Sequence, residues 1–130
     1  QVLESIERQL QRDAGMPQTY YLILAMLSEA PERTMRMSEL AAIAGTSQSQ
    51  LSHAATRLES AGWIVRQRCS HDKRGAQAVL TDEGFAMLQA TAPGHVEAVR
   101  RAIFDPLTPE QVDQLHTIAT TITSALSTDP

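Results

Sequence analysis

The sequence predicts a mainly α-helical fold with one small β-hairpin. Apolar residues recur at helical spacing along most of the chain, and helix-capping residues precede several of these segments. Two short β-prone runs, residues 63–68 and 76–80, are separated by a polar loop that ends at Gly75, as in a hairpin. A chain of 130 residues has the length of one domain, so residues 1–130 are predicted to fold together.

The N-terminal part predicts two helices and a short strand. Residues 1–13 place apolar side chains along one side of a helix, and residues 15–17 interrupt it with Gly and Pro. Residues 19–28 are apolar on nearly all sides, so this second helix is expected at the centre of the fold. A loop at residues 30–33 leads into residues 34–37, which are expected to add a short strand beside the hairpin.

The next segment predicts a short helix that ends in a tight turn. Ser38 is expected to cap this helix, and Gly45 is expected to close it. Leu40, Ile43 and Ala44 are expected to face the core.

A longer helix follows the turn, and its two sides differ in chemistry. Ser47 and Gln50 have the spacing of a capping box at its start. Its apolar stripe consists of Leu51, Ala54, Ala55 and Leu58. The opposite side carries Ser49, His53, Thr56 and Arg57, which are short hydrogen-bonding groups and one guanidinium. A helix that enters the major groove of DNA needs such groups, although the solvated face of an ordinary surface helix remains an alternative.

Basic residues are concentrated in this helix and the hairpin. The whole chain has a net charge of −4, yet residues 46–75 contain five basic and two acidic side chains. A basic patch on an acidic body orients a protein on DNA and limits non-specific binding. The two helices and the hairpin therefore predict a winged helix-turn-helix whose ligand is duplex DNA. The predicted DNA-binding residues are Ser47, Gln48, Ser49, Ser52, His53, Thr56, Arg57, Arg66, Arg68, Lys73 and Arg74.

The C-terminal part predicts two further helices. Thr81 is expected to cap the first, and an interruption with a kink is expected at residues 93–94, where Pro is followed by Gly. Thr108 starts the last helix with Pro109 at its first position and Gln111 completing a capping box. The apolar stripe of this last helix consists of Val112, Leu115, Ile118, Ala119, Ile122 and Leu126. Such a stripe must pack on another surface, either a second copy of the chain or its own chain.

The chain resembles the MarR family of winged-helix transcription regulators. The resemblance rests on the helix pair from Ser38, the run 57–64 (RLESAGWI), the hairpin motif 72–75 (DKRG) and the run 80–84 (LTDEG). The hairpin motif and the run after it are fairly specific in combination, and the resemblance covers nearly the whole chain.

The resemblance implies a homodimer on a pseudo-palindromic operator, most simply as a repressor. It implies a winged module at residues 34–81, flanked by dimerisation helices within residues 1–28 and 82–130. It places Arg74 in a minor groove, with Asp72 and Gly75 bracing the wing. Many relatives have Arg where this chain has Gln48 and His53, which implies an altered site preference.

Many family members also release DNA when a small aromatic compound binds. In this chain Tyr20, Tyr21 and Met26 are candidates for lining such an effector pocket between the DNA-binding and dimerisation parts. The residues themselves do not establish whether the chain has an effector.

The sequence gives little support to a redox, metal-binding or catalytic function. The single cysteine, Cys69, forms no intrachain disulfide, so a reducing cytoplasm is expected, and a plain strand thiol is favoured over a redox switch. Cys69, His71 and Asp72 lack a fourth metal ligand at usual spacing, so no metal or other cofactor is expected. No catalytic motif is present, and no apolar run is long enough to cross a membrane. The chain begins with Gln, which fits a trimmed version of a longer sequence.

Two other functions remain open at this point. Winged helices also serve as protein-interaction or dimerisation modules without a role on DNA. They also occur as accessory domains of enzymes, such as the dimerisation domain of a methyltransferase. The basic hairpin argues against the first, and the absence of a catalytic partner in a chain of 130 residues argues against the second.

Overall fold

The computed structural model describes residues 1–69 and 75–127. The helices and strands in these ranges are α1 (Val2–Ala14), α2 (Gln18–Glu29), β1 (Thr34–Arg36), α3 (Met37–Ala44), α4 (Gln48–Ser60), β2 (Ile64–Arg68), β3 (Ala76–Leu80), α5 (Asp82–Val99) and α6 (Pro109–Ser127). A 3-10 turn at Pro31–Arg33 precedes β1, and a π-helical turn at Arg100–Phe104 extends α5. The predicted fold, mainly α-helical with a small β-wing, is confirmed.

The strands form one antiparallel sheet in the order β1-β3-β2. In the hairpin, Ile64 pairs with Leu80 and Arg68 pairs with Ala76. Strand β1 adds to the other side of β3, where Thr34 pairs with Val79. The hairpin and the short strand beside it are therefore confirmed, except that Met37 begins α3 instead of ending the strand.

Helix α2 lies at the centre of the fold, as its uniformly apolar sequence predicts. Ile23, Leu24 and Leu27 are fully buried. They belong to a core formed with α3, α4, the sheet and α5, whose other large members are Met16, Leu40, Leu51, Leu58, Ile64, Leu80 and Leu88. The helix-turn-helix and the hairpin thus share one core.

Helix α3 differs from its prediction in two respects, the residue at which it starts and the side that it buries. It starts at Met37 with Arg36 as the N-cap and no side-chain cap bond, so the prediction that Ser38 caps it is wrong. Strand β1 runs straight into the helix, and the end of the strand determines where the helix begins. Ile43 is 52% exposed, so the prediction that it faces the core is also wrong. The buried side is centred between Leu40 and Ala41, and Ile43 lies about 110° away at 100° per residue.

Helix α5 runs without interruption through Pro93, so the predicted interruption at residues 93–94 is wrong, whereas the kink expected there stays a prediction. A proline removes one backbone hydrogen bond, and the helix of 18 residues continues past that loss. Its backbone leaves the α-helical pattern only at the π-helical turn after Val99. Gly94 instead serves packing, because a Cβ there would come within 3.2 Å of the Asp13 carboxylate on α1.

Helix α6 starts as predicted, and nearly all of its residues are exposed. The Thr108 hydroxyl accepts the Gln111 amide N–H at 3.2 Å, and the Gln111 side chain accepts the Thr108 amide N–H at 2.9 Å. None of its residues is buried, and its exposed apolar stripe includes Ile118 at 57% and Leu126 at 71%. The alternative in which α6 docks within its own chain therefore does not hold.

Candidate nucleic-acid interface

Helix α4 begins at a complete capping box. The Ser47 hydroxyl accepts the Gln50 amide N–H at 3.1 Å, and the Gln50 side-chain oxygen accepts the Ser47 amide N–H at 3.2 Å. Its predicted stripe of Leu51, Ala54, Ala55 and Leu58 is buried. Burial of this stripe turns the other side of the helix outward.

The outward side carries every polar residue that the sequence assigned to DNA on this helix. Exposed are Ser47, Gln48, Ser49, Ser52, His53, Thr56 and Arg57. Within the described residues, the side chains of Gln48, Ser49 and Ser52 make no hydrogen bond. Arg57 donates a long hydrogen bond of 3.5 Å to the His53 ring. The first two turns of α4 therefore present donors and acceptors that are free to bind a ligand.

The hairpin places its two strand arginines differently. Arg68 is exposed near the end of β2. The Arg66 side chain is only 28% exposed, because it lies against α4 and forms an ion pair of 3.3 Å with Glu59. The structure thus brings Arg68 and the α4 face to the surface, whereas it ties Arg66 to the helix.

Glu59 is a residue that the sequence analysis missed. Its carboxylate accepts the Arg66 amide N–H at 2.8 Å, and this hydrogen bond is the main reason that the pKa of Glu59 is lowered, followed by the Arg66 side chain. The signal in the sequence for this contact is an acidic residue in the last turn of α4, seven residues before an arginine of the next strand. That spacing suggests a contact only once the turn between helix and strand is known.

The tip of the hairpin lies outside the described residues. The predicted DNA contacts Lys73 and Arg74, and the bracing residue Asp72, fall there. Gly75 is described, and its carbonyl accepts the Cys69 amide N–H at 3.0 Å, which continues the strand pairing toward the tip. Cys69 itself is buried, as expected for a plain strand thiol. In the described ranges no group of three His, Cys, Asp or Glu side chains is arranged to hold a metal.

The residues proposed for an effector pocket lie in different surroundings. Tyr20 lines an open groove of about 250 Å³ between α2 and α4, together with Pro17, Thr19, Thr46, Gln50, His53 and Ala54. Tyr21 instead packs its ring 4.2 Å from the ring of His95 on α5, where burial raises the pKa of Tyr21 and lowers that of His95. Met26 packs against the core. The groove therefore contains Tyr20 without the other two.

Helices α3 and α4, the turn between them and the hairpin after them define a winged helix-turn-helix. The chain belongs to the MarR family, as its similarity to the solved family members Sco3205 and AbsC shows, and the profile of the family matches residues 14–75. Members of this family are transcription regulators and not enzymes, in line with the sequence analysis.

Two solved structures are close to this chain. Sco3205 from Streptomyces coelicolor, a MarR family transcriptional regulator in complex with DNA, is 53% identical with a TM-score of 0.89, and the match covers 96% of this chain and 78% of Sco3205. AbsC, a MarR family transcriptional regulator from the same organism, is 38% identical with a TM-score of 0.89, and the match covers 98% of this chain and 86% of AbsC.

The sequence is also similar to the transcriptional regulator PecS of Dickeya dadantii (strain 3937). The two are 37% identical over 70 residues, which are 54% of this chain. This chain spans 42% of the length of PecS. In the described part of the chain, no helix combines the length and the apolar character that a membrane crossing requires.

Proposed function

We propose that this protein is a sequence-specific DNA-binding transcription regulator that acts as a homodimer. The observation that carries the proposal is the exposed polar side of α4 beside the arginine-bearing hairpin. Side chains with hydroxyl, amide and imidazole groups read base edges in the major groove, and a guanidinium binds guanine or phosphate. The family of the chain and the DNA-bound structure of its relative Sco3205 support this assignment.

The second copy is supported by α6, whose apolar stripe is exposed along a helix of 19 residues. Such a helix is about 28 Å long. Val2 and Leu3 at the start of α1 are exposed as well. Burying these surfaces against the same surfaces of a partner gives a two-fold symmetric dimer, and two α4 helices then reach half-sites about 10 base pairs apart.

A dimer seated on an inverted repeat covers the duplex beneath it, so repression by occlusion of a promoter is the simplest regulatory outcome. We place this action in the cytoplasm, in line with the single unpaired cysteine. A small aromatic effector that enters the groove at Tyr20 would touch Gln50 and His53 on α4 directly. Its binding would compete with DNA for the same helix.

A matched pair of substitutions tests DNA binding through α4. Selection from random duplex DNA with the wild-type chain supplies a binding site, and titrations with Gln48→Glu and Gln89→Glu follow. Gln48 lies in the first turn of α4, where a new carboxylate favours the helix, and Gln89 is exposed on α5. Both changes add one negative charge, but only Gln48→Glu places it at contact distance from phosphate. We expect roughly tenfold weaker binding from that repulsion.

The outcomes separate the proposal from its rivals. Gln89→Glu should leave the affinity within about twofold, because its charge is remote from the duplex and screened by salt. Equal effects of the two substitutions on affinity would show that α4 is not part of the DNA interface. If the wild-type chain selects no duplex at all, the protein-interaction or dimerisation module becomes the better interpretation.

A further inference from the structure

Four hydrogen bonds connect strand β2 to helix α4 through one arginine and one glutamate. The Glu59 carboxylate accepts the Arg66 amide N–H at 2.8 Å and a guanidinium N–H at 3.3 Å. The same guanidinium donates to the Thr56 hydroxyl at 3.1 Å and to the Ser52 carbonyl at 3.4 Å. We refer to Ser52, Thr56, Glu59 and Arg66 as the helix–strand clasp.

The clasp uses groups that would otherwise be available to DNA. A guanidinium has five N–H donors, and the clasp occupies three of them. The Thr56 hydroxyl donates to the Ser52 carbonyl at 3.0 Å while it accepts from Arg66. Arg66 and Thr56, both predicted to contact DNA, are thus committed within the protein.

We propose that Glu59 is a positioning residue of the DNA interface, which holds the wing strand at a fixed place beside α4 by binding Arg66. This inference rests on the proposed function. Arg66 and Thr56 then belong to the framework of the interface, and base reading is confined to residues at the start and middle of α4, such as Ser49 and His53.

The backbone hydrogen bond is the part of the clasp that gives it a positioning role. A side-chain ion pair on a solvated surface contributes little, because the two chains lose freedom and salt screens the charges. Glu59 additionally accepts the main-chain N–H of β2, so it fixes the strand and not merely a side chain. Arg68, two residues further along the same strand, is exposed, and its position relative to α4 depends on where β2 is held.

Whether Glu59→Gln weakens or strengthens DNA binding distinguishes a positioning role of Glu59 from a purely electrostatic one. Removing a negative charge near DNA should strengthen binding if charge alone matters. A positioning role predicts the opposite, because the neutral amide has one acceptor oxygen instead of two and can no longer hold both the Arg66 backbone N–H and its guanidinium. We expect roughly fivefold weaker binding to the selected duplex. The matched control is Glu39→Gln on α3, an exposed glutamate that makes no hydrogen bond within the described residues.

The experiment measures affinity for the selected duplex at several salt concentrations for wild type, Glu59→Gln, Glu39→Gln, Arg66→Gln and the double variant Glu59→Gln/Arg66→Gln. We expect Glu39→Gln to bind as well as wild type or better. Arg66→Gln should weaken binding and leave the salt slope unchanged, since Arg66 would contact no phosphate. The double variant should bind the duplex no more weakly than the weaker-binding of the two single variants, because both substitutions break the same clasp.

Two results would overturn the inference. The first is an affinity of Glu59→Gln for the duplex that is higher than that of wild type and equal to that of Glu39→Gln. The second is a salt slope reduced by about one in Arg66→Gln, which would make Arg66 a phosphate contact. Failure of the proposed function looks different, because the wild-type chain itself would then bind no duplex. In that case the carboxyl titration of Glu59, followed by NMR in wild type and Arg66→Gln, still tests the clasp, since loss of Arg66 should raise the pKa of Glu59.

Discussion

Replacing Ile118 by alanine should weaken the proposed dimer and leave the chain folded. Ile118 lies in the exposed stripe of α6 and is 57% exposed in the single chain. Complete burial of an isoleucine side chain is favourable by about 1.5–3 kcal/mol, so the exposed part accounts for roughly 1–1.5 kcal/mol. A symmetric dimer contains the residue twice, which gives about 2–3 kcal/mol. Alanine retains the Cβ, so we expect a dissociation constant raised roughly 10- to 100-fold.

Sedimentation equilibrium over a range of protein concentrations measures this constant directly. Thr120→Ala is the matched control, because Thr120 lies on the same helix about 200° around from Ile118. Both substitutions introduce alanine, which favours the helix, so loss of helix content should affect neither variant. An unchanged dissociation constant for Ile118→Ala, or an equal rise for Thr120→Ala, would refute the assignment of the α6 stripe to the dimer interface.

Two further predictions concern the fold that supports the site. Gly84→Ala should destabilise the protein by about 1–3 kcal/mol in denaturant unfolding even though alanine favours helices, because its Cβ would collide with the Trp63 carbonyl. Gly94→Ala should change stability far less, because its Cβ would meet only side-chain atoms of Asp13 and Gln9, which can move. Burial lowers the pKa of His95 below 6.5, so the unfolded chain takes up a proton more readily than the folded one. The free energy of unfolding should therefore fall as the pH decreases through about 6.5, and His95→Gln should flatten this dependence. A pH dependence that survives in His95→Gln would assign it to other groups.

Local patterns predicted most of the helices and the start of the site. The capping box at Ser47 and Gln50 involves residues three apart, so the sequence contains both partners of each hydrogen bond. The exposed side of α4 followed from the burial of its apolar stripe, which is a matter of helical period alone. Both features depend on contacts within one element, and for this reason they were predictable.

The features that were missed depend on contacts between elements. Ile43 has a core-like side chain, but the packing of α3 on its neighbours turned the side with Leu40 and Ala41 inward. Pro93 was expected to break α5, but the helix tolerates the loss of one hydrogen bond. The contact between Glu59 and Arg66 and that between Tyr21 and His95 join different elements, and neither residue type nor spacing reveals such pairs.

The most direct test of the DNA-binding assignment is an NMR titration of the isotope-labelled chain with the selected duplex. We predict that the largest changes in backbone amide shift fall on the first two turns of α4, at Gln48, Ser49, Ser52 and His53, and on Arg68 in the hairpin. The outward side of these turns is exposed and its side chains are largely unpaired within the described residues, so the duplex can reach it without unfolding the protein. Changes that are confined to other surfaces, with the α4 amides unaffected at saturating duplex, would contradict the assignment.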